Sequence, residues 1–208
     1  MAHPQSPFPP GFTISTPRLR ITPFDPTNQT HCAFLVQVWN TDDFISSCGN
    51  TSIDTPEKAS DFIRKRILTD YARNRHGIFL VSLYDGQQGP NTPIGTVSLM
   101  QGTPPGPHYL APDVGYAILP EHSGKGLATE AAQGVLEYAR TELGKHDAFG
   151  FCAAGNPRSR RVLEKIGMEF RGVSALKAFG GAESAVYAWP SMSADLTMYG
   201  LTEEIRSE

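Results

Sequence analysis

The chain of 208 residues suits one domain, and its 39% hydrophobic and 19% charged residues are typical of a soluble globular protein. A net charge of −3 at pH 7 gives no basic excess that would favour nucleic acid as a partner. No segment approaches the ~18 apolar residues that span a bilayer, and three cysteines without C-x-x-C spacing support neither a disulfide framework nor a zinc site. We therefore expect a cytoplasmic protein without membrane or metal partners.

The first predicted elements follow a proline-rich start. Residues 1–12 contain four prolines and little periodicity, which predicts a flexible lead-in to a single domain over residues 13–190. The stretch "LRITPF" (19–24) predicts a strand, and residues 27–40 predict a helix. A second helix starts with Thr55 as its N-cap and Pro56 at its first position.

The rest of the chain predicts a hairpin, a loop and an alternation of strands and helices. The hairpin consists of strands 77–85 and 93–101, joined by the turn-rich "GQQGPN". The later elements are a loop over 102–112, strand 113–119, helix 127–143, strand 148–154, helix 156–167 and β-like segments over 168–179 and 184–190. This order predicts a mixed sheet flanked by helices, and residues 191–208 form a C-terminal extension.

The turn between strand 113–119 and helix 127–143 contains two glycines, Gly124 and Gly126. A glycine turn at a helix start exposes main-chain N–H groups beside the positive end of the helix dipole, and this arrangement suits phosphate. The P-loop spacing does not fit, because Lys125 lies between the glycines, and the dinucleotide fingerprint does not fit, because Thr129 occupies its third glycine position. On these residues alone, an ordinary glycine-rich turn remains an alternative.

Two longer stretches give the turn a context: "VGYAILPEHSGKGLATEA" (114–131) and "NPRSRRVLEKIGMEF" (156–170). They resemble the GNAT superfamily of acyl-CoA-dependent N-acyltransferases, in particular its RimJ/RimL-like ribosomal-protein-acetyltransferase branch, and the resemblance extends from Thr16 to Tyr187. It implies an α/β (α+β) GNAT fold, in which a mixed, mostly antiparallel sheet flanked by helices contains a splayed pair of parallel strands. The family loop [Q/R]-x-x-G-x-[G/A] begins here with Ser123, which departs from the pattern.

The resemblance implies acetyl-CoA as the cosubstrate. In the family the glycine turn binds the pyrophosphate of coenzyme A, and pantetheine inserts between the splayed strands. The residues implied to bind the coenzyme are Ala117, Ile118, Leu119, Ser123, Gly124, Lys125, Gly126, Leu127, Ala128, Thr129, Asn156 and Ser159. One or two of Arg158, Arg160, Arg161 and Lys125 would meet the 3′-phosphate, because helix spacing cannot direct all of them inward.

The resemblance also implies how the coenzyme leaves. The family pattern N-x-x-S is met by Asn156, which would contact pantetheine, and by Ser159, which would assist the departing thiolate. A helix N-cap and an ordinary helix serine are the structural alternatives. Many members have a tyrosine as general acid seven residues after the asparagine, where this chain has Leu163. The coenzyme A thiolate is a tolerable leaving group without a strong acid, because its pKa is close to that of a free thiol.

The acceptor amine needs a proton acceptor, because an alkylamine is almost fully protonated at pH 7. Asp113, placed before "VGY" where relatives often carry an acidic residue, is the first candidate for this catalytic role. Its alternative is a solvated carboxylate at a strand end. Glu121, His108 and Tyr187 are further candidates.

The resemblance therefore implies direct transfer of an acetyl group from acetyl-CoA to a primary amine in a ternary complex. The expected acceptor is a peptide or protein N-terminus or a small-molecule amine, and relatives often form homodimers. An acyl-CoA-binding sensor without turnover is the alternative, because Leu163 replaces the usual acid. A flavodoxin-like or P-loop nucleotide binder fits the motif spacing poorly.

Overall fold

A computed structural model describes residues 6–84, 86, 91–104, 106 and 108–207 of the chain. Its first half contains, in order, β1 (Ile14–Ser15), β2 (Leu19–Pro23), α1 (Gln29–Trp39), α2 (Asp42–Cys48), α3 (Pro56–Phe62), a π-helical turn (Ile63–Ile67), α4 (Leu68–Asn74), β3 (Ile78–Leu83) and β4 (Thr92–Met100). Its second half contains β5 (Asp113–Ile118), α5 (Leu127–Leu143), β6 (Phe149–Ala153), α6 (Pro157–Lys165), β7 (Glu169–Leu176) and β8 (Ala182–Ala188).

The strands form one sheet in the order β1-β2-β3-β4-β5-β6-β8-β7. Its neighbouring strands are antiparallel, except that β5 and β6 run parallel. The predicted mixed, mostly antiparallel sheet with one parallel pair is therefore confirmed. The strands β3 and β4 pair as the predicted hairpin strands, whereas most of their "GQQGPN" connection lies outside the described residues.

The parallel strands β5 and β6 pair only at their first residues. Asp113 pairs with Phe149 and Val114 with Gly150, and beyond these residues the two strands separate. Along their remaining lengths β5 stays paired with β4, and β6 stays paired with β8. One edge of each strand therefore faces a gap in the sheet, as the predicted splayed pair requires.

The helix α5 begins and ends at glycines and has the predicted bounds. Gly126 (φ +77°) is its N-cap and Gly144 (φ +62°) its C-cap, and glycine adopts this left-handed backbone with little strain. Its buried residues are Leu127, Ala131, Ala132, Val135, Leu136, Tyr138 and Ala139. Because this face packs against β4 and β5, the helix fixes the glycine turn relative to the sheet.

The helix α3 begins where the sequence predicts it. Thr55 Oγ1 accepts a hydrogen bond from the Lys58 N–H at 3.3 Å, and Pro56 is the first helical residue. The π-helical turn joins α3 to α4, so the helical segment continues to Asn74. Its buried side chains belong to the main hydrophobic core and include Ile63, Ile67, Leu68 and Tyr71.

Two elements, β1 and α2, are absent from the sequence prediction. The strand β1 has only two residues, which is too short for an alternating pattern. The helix α2 has no buried residue and therefore no apolar periodicity. Its sequence signals are the N-cap Thr41 and the acidic residues Asp42 and Asp43 in its first turn.

Both ends of the chain contribute to the core. Residues 1–5 lie outside the described part, but Phe8 is buried and stacks on Phe12 with ring centroids 4.4 Å apart. The flexibility predicted for residues 1–12 therefore does not extend to Phe8. In the C-terminal extension, Met192, Leu196 and Leu201 are buried in a second apolar cluster with side chains of β6 and β8. The extension therefore packs against the part of the sheet that β6 and β8 form.

Candidate active site

A gap opens in the sheet where β5 and β6 stop pairing. Its cavity of about 700 Å³ is bounded by both strands, by α2 and by the start of α6. The residues of β5 that line it are Val114, Gly115, Tyr116, Ala117 and Ile118. Since no strand of the described chain pairs with these gap-facing edges, their main-chain groups are placed to bind an extended ligand as a strand would be bound.

The glycine turn borders a second cavity that adjoins the gap. Gly124 and Gly126 have φ values of +76° and +77°, which side chains disfavour. Among the described residues, no side chain caps the first N–H groups of α5. These N–H groups and the positive end of the helix dipole together suit an anion.

Most of the residues predicted to bind the coenzyme line these two cavities. They are Ala117, Ile118, Ser123, Gly124, Gly126, Leu127, Ala128, Thr129, Asn156 and Ser159. Leu119 lies apart, because it is buried and its N–H donates to the Ile94 carbonyl oxygen at 2.8 Å. The Lys125 side chain also lies apart, and its Nζ donates to the Glu121 carbonyl oxygen at 2.8 Å.

The start of α6 is fixed at the junction of the two cavities. Asn156 Oδ1 accepts a hydrogen bond from the Ser159 N–H at 3.1 Å, so the N-cap interpretation of Asn156 is confirmed. Across the gap, Tyr116 Oη donates to the Ser159 carbonyl oxygen at 2.9 Å. Burial raises the pKa of Tyr116, which keeps this hydroxyl protonated. These bonds place Ser159 where it lines both cavities.

Leu163 occupies the position of the family tyrosine and is fully buried. It packs against Gly150 of β6 so closely that a Cβ atom on Gly150 would lie 2.4 Å from Leu163 Cδ2. The site therefore has an aliphatic side chain, and no proton donor, at this position.

The basic residues near α6 divide into two groups. Arg158, Arg161 and Lys165 line the cavity beside the glycine turn, and Arg158 Nη1 lies 3.6 Å from Asp43 Oδ2 of α2. Arg160 points elsewhere, because its Nε donates to Tyr187 Oη at 3.2 Å. The prediction that not all the arginines point inward fits this division, and Lys165 is a cavity-lining cation that the sequence reasoning missed.

Asp113 lies at the paired end of β5, one residue before the strand begins to line the gap. Burial raises the pKa of Asp113 to about 7, and a main-chain hydrogen bond opposes this shift only in part. Burial and the neighbouring Glu203 carboxylate raise the pKa of Tyr109, and the Asp113 charge adds a smaller increase. Asp113 is thus a carboxyl group with the proton affinity of a base that works near neutral pH.

The other candidates for the proton acceptor are less well placed. Tyr187 is fully buried and donates a hydrogen bond from Oη to Glu164 Oε1 at 3.2 Å. His108 lies in the loop before β5, and its Nδ1 is 3.0 Å from a carbonyl oxygen of the same loop. Glu121 is exposed. None of these three residues lines the gap between β5 and β6.

Side chains from α2 and β6 complete the lining, and the sequence reasoning missed them. Phe44 of α2 lines the gap and stacks on Trp39 with ring centroids 5.2 Å apart. Cys48 of α2 and Phe151 and Cys152 of β6 also line it. The capping signal of α2 would have located the helix but not its position over the gap.

A family model described as "Acetyltransferase (GNAT) domain" matches residues 18–169, about three quarters of the chain. The chain belongs to the GNAT acetyltransferase family. The GNAT match includes the gap, the glycine turn and α6, whereas the C-terminal extension lies beyond it.

Several proteins resemble this GNAT chain. An uncharacterized N-acetyltransferase, YnaD of Bacillus subtilis, is 40% identical over 60 residues, which are 29% of this chain and 35% of YnaD. A GNAT acetyltransferase structure from Bacillus anthracis has 24% identity and a TM-score of 0.65, over 85% of this chain and 97% of its own. RimL, a ribosomal L7/L12 α-N-protein acetyltransferase in complex with coenzyme A, has 16% identity and a TM-score of 0.67. The match covers 88% of this chain and 100% of the RimL chain.

The extent of these similarities differs. The chain spans between 35% and 57% of the length of the curated relatives that it matches. The solved structures are covered almost completely, and at such low identity they show a shared fold.

Neither a membrane-spanning helix nor a metal-binding group is found among the residues that the structure describes. No helix there combines the length and the apolar character that crossing a membrane requires. No group of at least three His, Cys, Asp or Glu side chains lies in a suitable arrangement for a metal ion.

Proposed function

We propose that this GNAT protein transfers an acetyl group from acetyl-CoA directly to a primary amine bound beside the coenzyme. The observation that carries the proposal is the gap between β5 and β6, which opens after two residue pairs and leads to the uncapped glycine turn. The two adjoining cavities support a ternary complex, in which the acceptor binds in the gap beside the coenzyme.

The residues present fit the parts of coenzyme A. The pantetheine arm is extended and carries amide groups, which suit the main-chain edges of the gap. The pyrophosphate suits the N–H groups of the turn at Gly124 and Gly126. Arg158 and Arg161 line the same cavity and can bind the 3′-phosphate. Bound in this way, acetyl-CoA supplies an acetyl group that is activated as a thioester.

The chain stabilises the two charges that develop during transfer. A main-chain N–H on the gap-facing edge of β5, between Val114 and Ile118, donates to the acyl oxygen as an oxyanion donor. Ser159 donates a hydrogen bond to the departing thiolate. A thiolate with a pKa of about 8.5 needs only this modest assistance, which is compatible with buried Leu163 at the position of the family acid.

Asp113 accepts the proton of the acceptor amine, directly or through water. With a pKa of about 7 it is partly ionised at neutral pH. An α-ammonium group has a pKa of about 7.7–8.0, whereas a lysine ammonium has a pKa of about 10.4. Proton transfer to Asp113 is therefore much less unfavourable from an α-amino group, and a peptide N-terminus or a small α-amine is the acceptor that suits this base.

The proposal is tested by measuring thiol release from acetyl-CoA with two matched peptide sets. One set has a free N-terminus and no lysine, and the other has a blocked N-terminus and one lysine; small α-amines form a third set. We expect turnover with free α-amino groups and little turnover with lysine. Absence of measurable affinity for coenzyme A or acetyl-CoA would refute the proposal.

The cysteines of the chain allow the position of the coenzyme to be tested separately. Cys152 lines the gap, whereas Cys32 is fully buried in the core. Because burial raises the pKa of Cys152 to about 11, alkylation is followed in mildly alkaline buffer. We expect coenzyme A to slow the alkylation of Cys152 and to leave that of Cys32 unchanged. Equal rates with and without coenzyme A would place the ligand outside the gap.

An acyl-CoA-binding sensor is the second candidate, and the burial of Leu163 at the position of the usual acid favours it. The same assay separates the two functions. Tight binding of acetyl-CoA without thiol release on any acceptor would identify a sensor, and turnover identifies an enzyme.

A further inference from the structure

Glu130, in the first turn of α5, is held by the connection between β1 and β2. Its Oε1 accepts hydrogen bonds from Thr16 Oγ1 at 2.6 Å and from the Arg18 N–H at 2.8 Å. Its Oε2 accepts from Arg18 Nε at 2.6 Å. The Glu130 side chain is only 15% exposed. Three donors on a largely buried carboxylate distinguish this contact from an ordinary surface ion pair, which contributes little.

Arg18 also contacts the glycine turn itself. Its Nη1 donates to the main-chain carbonyl oxygen of Lys125 at 3.1 Å. The guanidinium therefore joins α5, through Glu130, to the peptide that precedes Gly126. A planar guanidinium presents donors in a fixed fork and can hold both acceptors at once, whereas a lysine ammonium cannot reproduce this geometry.

The contact with the Lys125 carbonyl oxygen sets the direction of the next N–H group. In a planar trans peptide the C=O and N–H bonds point in opposite directions. Arg18 does not line the cavity beside the turn, and Gly126 does. By holding the Lys125 carbonyl oxygen on the outer side, Arg18 turns the Gly126 N–H towards the cavity.

The turn needs such support because its glycines are conformationally free. Gly124 and Gly126 both have positive φ, and glycine reaches many other conformations at little cost. An unsupported turn would lose this freedom when a phosphate binds, and the lost entropy would weaken binding. A turn that is already ordered avoids most of that loss.

We infer that Arg18 and Glu130 are positioning residues that hold the glycine turn in the conformation in which its N–H groups receive the phosphates of the coenzyme. The inference rests on the proposed function. In this inference Arg18 acts through the Lys125 peptide, because its Nε and Nη1 are engaged by Glu130 and Lys125 and Arg18 does not line the cavity.

The test compares coenzyme A affinity by calorimetry in the wild type and in Arg18→Met, Arg18→Lys and Glu130→Gln. We expect each variant to bind coenzyme A about 10-fold more weakly and to raise KM for acetyl-CoA by a similar factor, with kcat within about 2-fold. Arg140→Met is the matched control, because Arg140 pairs with Glu137 on the same helix and is 52% exposed, against 51% for Arg18. This control should bind as the wild type does.

Hydrogen exchange without ligand supplies a readout that is independent of catalysis. We expect the amides of residues 123–128 to exchange faster in Arg18→Met and Glu130→Gln than in the wild type or in Arg140→Met. Unchanged exchange and affinity in these variants would overturn the inference.

The lysine variant separates positioning from charge attraction. Full affinity in Arg18→Lys, together with weak binding in Arg18→Met, would show that the charge of Arg18 acts on the phosphates and would also overturn the inference. If the wild type itself binds no coenzyme A, the proposed function fails, and the inference fails with it. If the wild type binds coenzyme A and the variants bind it equally well, only the inference about Arg18 and Glu130 fails, and the proposed function stands.

Discussion

The two ends of the gap are built from different parts of the chain. The proposed coenzyme end, at the glycine turn, presents main-chain N–H groups of consecutive residues, with cations of α6 beside them. The proposed acceptor end, towards Asp113, is bounded by side chains from α2 and β6, which are about 100 residues apart in sequence. Under the proposed function, recognition at the first end depends on backbone conformation, and we expect it to be sensitive to substitution of glycine. Under the proposed function, recognition at the second end depends on side-chain identity.

The largest effect is expected from a charge at the coenzyme end. Gly124→Asp places a carboxylate beside the proposed diphosphate site, and no atom within 4 Å obstructs a Cβ atom there. We expect coenzyme A affinity to fall by about 1000-fold, because like charges about 4 Å apart near a protein surface repel by about 4 kcal/mol. Calorimetry measures the loss.

Two further variants are controls for this result. Gly124→Asn has the same shape without the charge, and Gly144→Asp carries the charge at the other end of α5, also at a positive φ of +62°. Equal losses in Gly124→Asn and Gly124→Asp would assign the effect to backbone strain. Unchanged affinity in Gly124→Asp would remove the turn from the coenzyme site.

At the acceptor end, Asp113→Asn should lower kcat by about 100-fold and leave the Kd for coenzyme A unchanged. The pKa of Asp113 is about 7, so its basic form accumulates as the pH rises through this value. The wild-type rate should therefore rise with pH through about 7, whereas the rate of the variant should rise only as the acceptor amine itself loses its proton, at a pKa of about 7.7–8.0 for an α-amine. Rates measured from about pH 6 to about pH 9 check the prediction, with Glu121→Gln as the control. A variant with the wild-type pH profile would exclude Asp113 from the mechanism.

A smaller effect should show which phosphate of coenzyme A the arginines at the coenzyme end bind. Replacement of Arg158 and Arg161 by alanine removes two of the cations that line the cavity. We expect about 10-fold weaker binding of coenzyme A but nearly unchanged binding of dephospho-coenzyme A, because only the first ligand has a 3′-phosphate. Arg160→Ala, whose guanidinium binds Tyr187, should keep the wild-type ratio of the two affinities. Equal weakening for both ligands would assign the arginines to the pyrophosphate.

The smallest effect concerns stability at the acceptor end. The pKa of Asp113 rises from 3.8 to about 7 on folding, so the folded chain holds a proton that the unfolded chain releases between these pH values. Wild-type stability therefore falls as the pH increases from about 4 to about 7 and stays lower above that range. We expect Asp113→Asn to have a Tm about 2–6 °C above the wild type at pH of about 8, and no difference near pH 4. The same Tm difference at both pH values would contradict this origin.

The coenzyme end was more predictable from the sequence than the acceptor end. Its signals are local, because Gly124 and Gly126 mark the positive φ values and the apolar repeat of α5 marks the helix that follows. Even there, the contact between Arg18 and Glu130 is invisible in sequence, since the two residues are 112 positions apart. The orientation of Lys125 likewise depends on a contact with a neighbouring carbonyl oxygen.

The acceptor end was predicted only in part. Asp113 could be singled out by resemblance, but its raised pKa results from burial by residues that are distant in sequence. The lining residues of α2 gave no apolar pattern, because that helix buries none of its side chains. The proline-rich sequence of residues 1–12 gave no signal that Phe8 is buried, because this burial depends on tertiary contacts with Phe12 and Tyr71.

The brief pairing of β5 with β6 has a mechanical consequence. Because only two residue pairs join these strands, the sheet consists of a five-stranded lobe and a three-stranded lobe that meet along a nearly open seam. A ligand in the seam would add hydrogen bonds to both lobes, and its departure would remove them. The cohesion of the molecule would then rise and fall with each catalytic cycle, and the lobes would hinge most easily when the seam is empty.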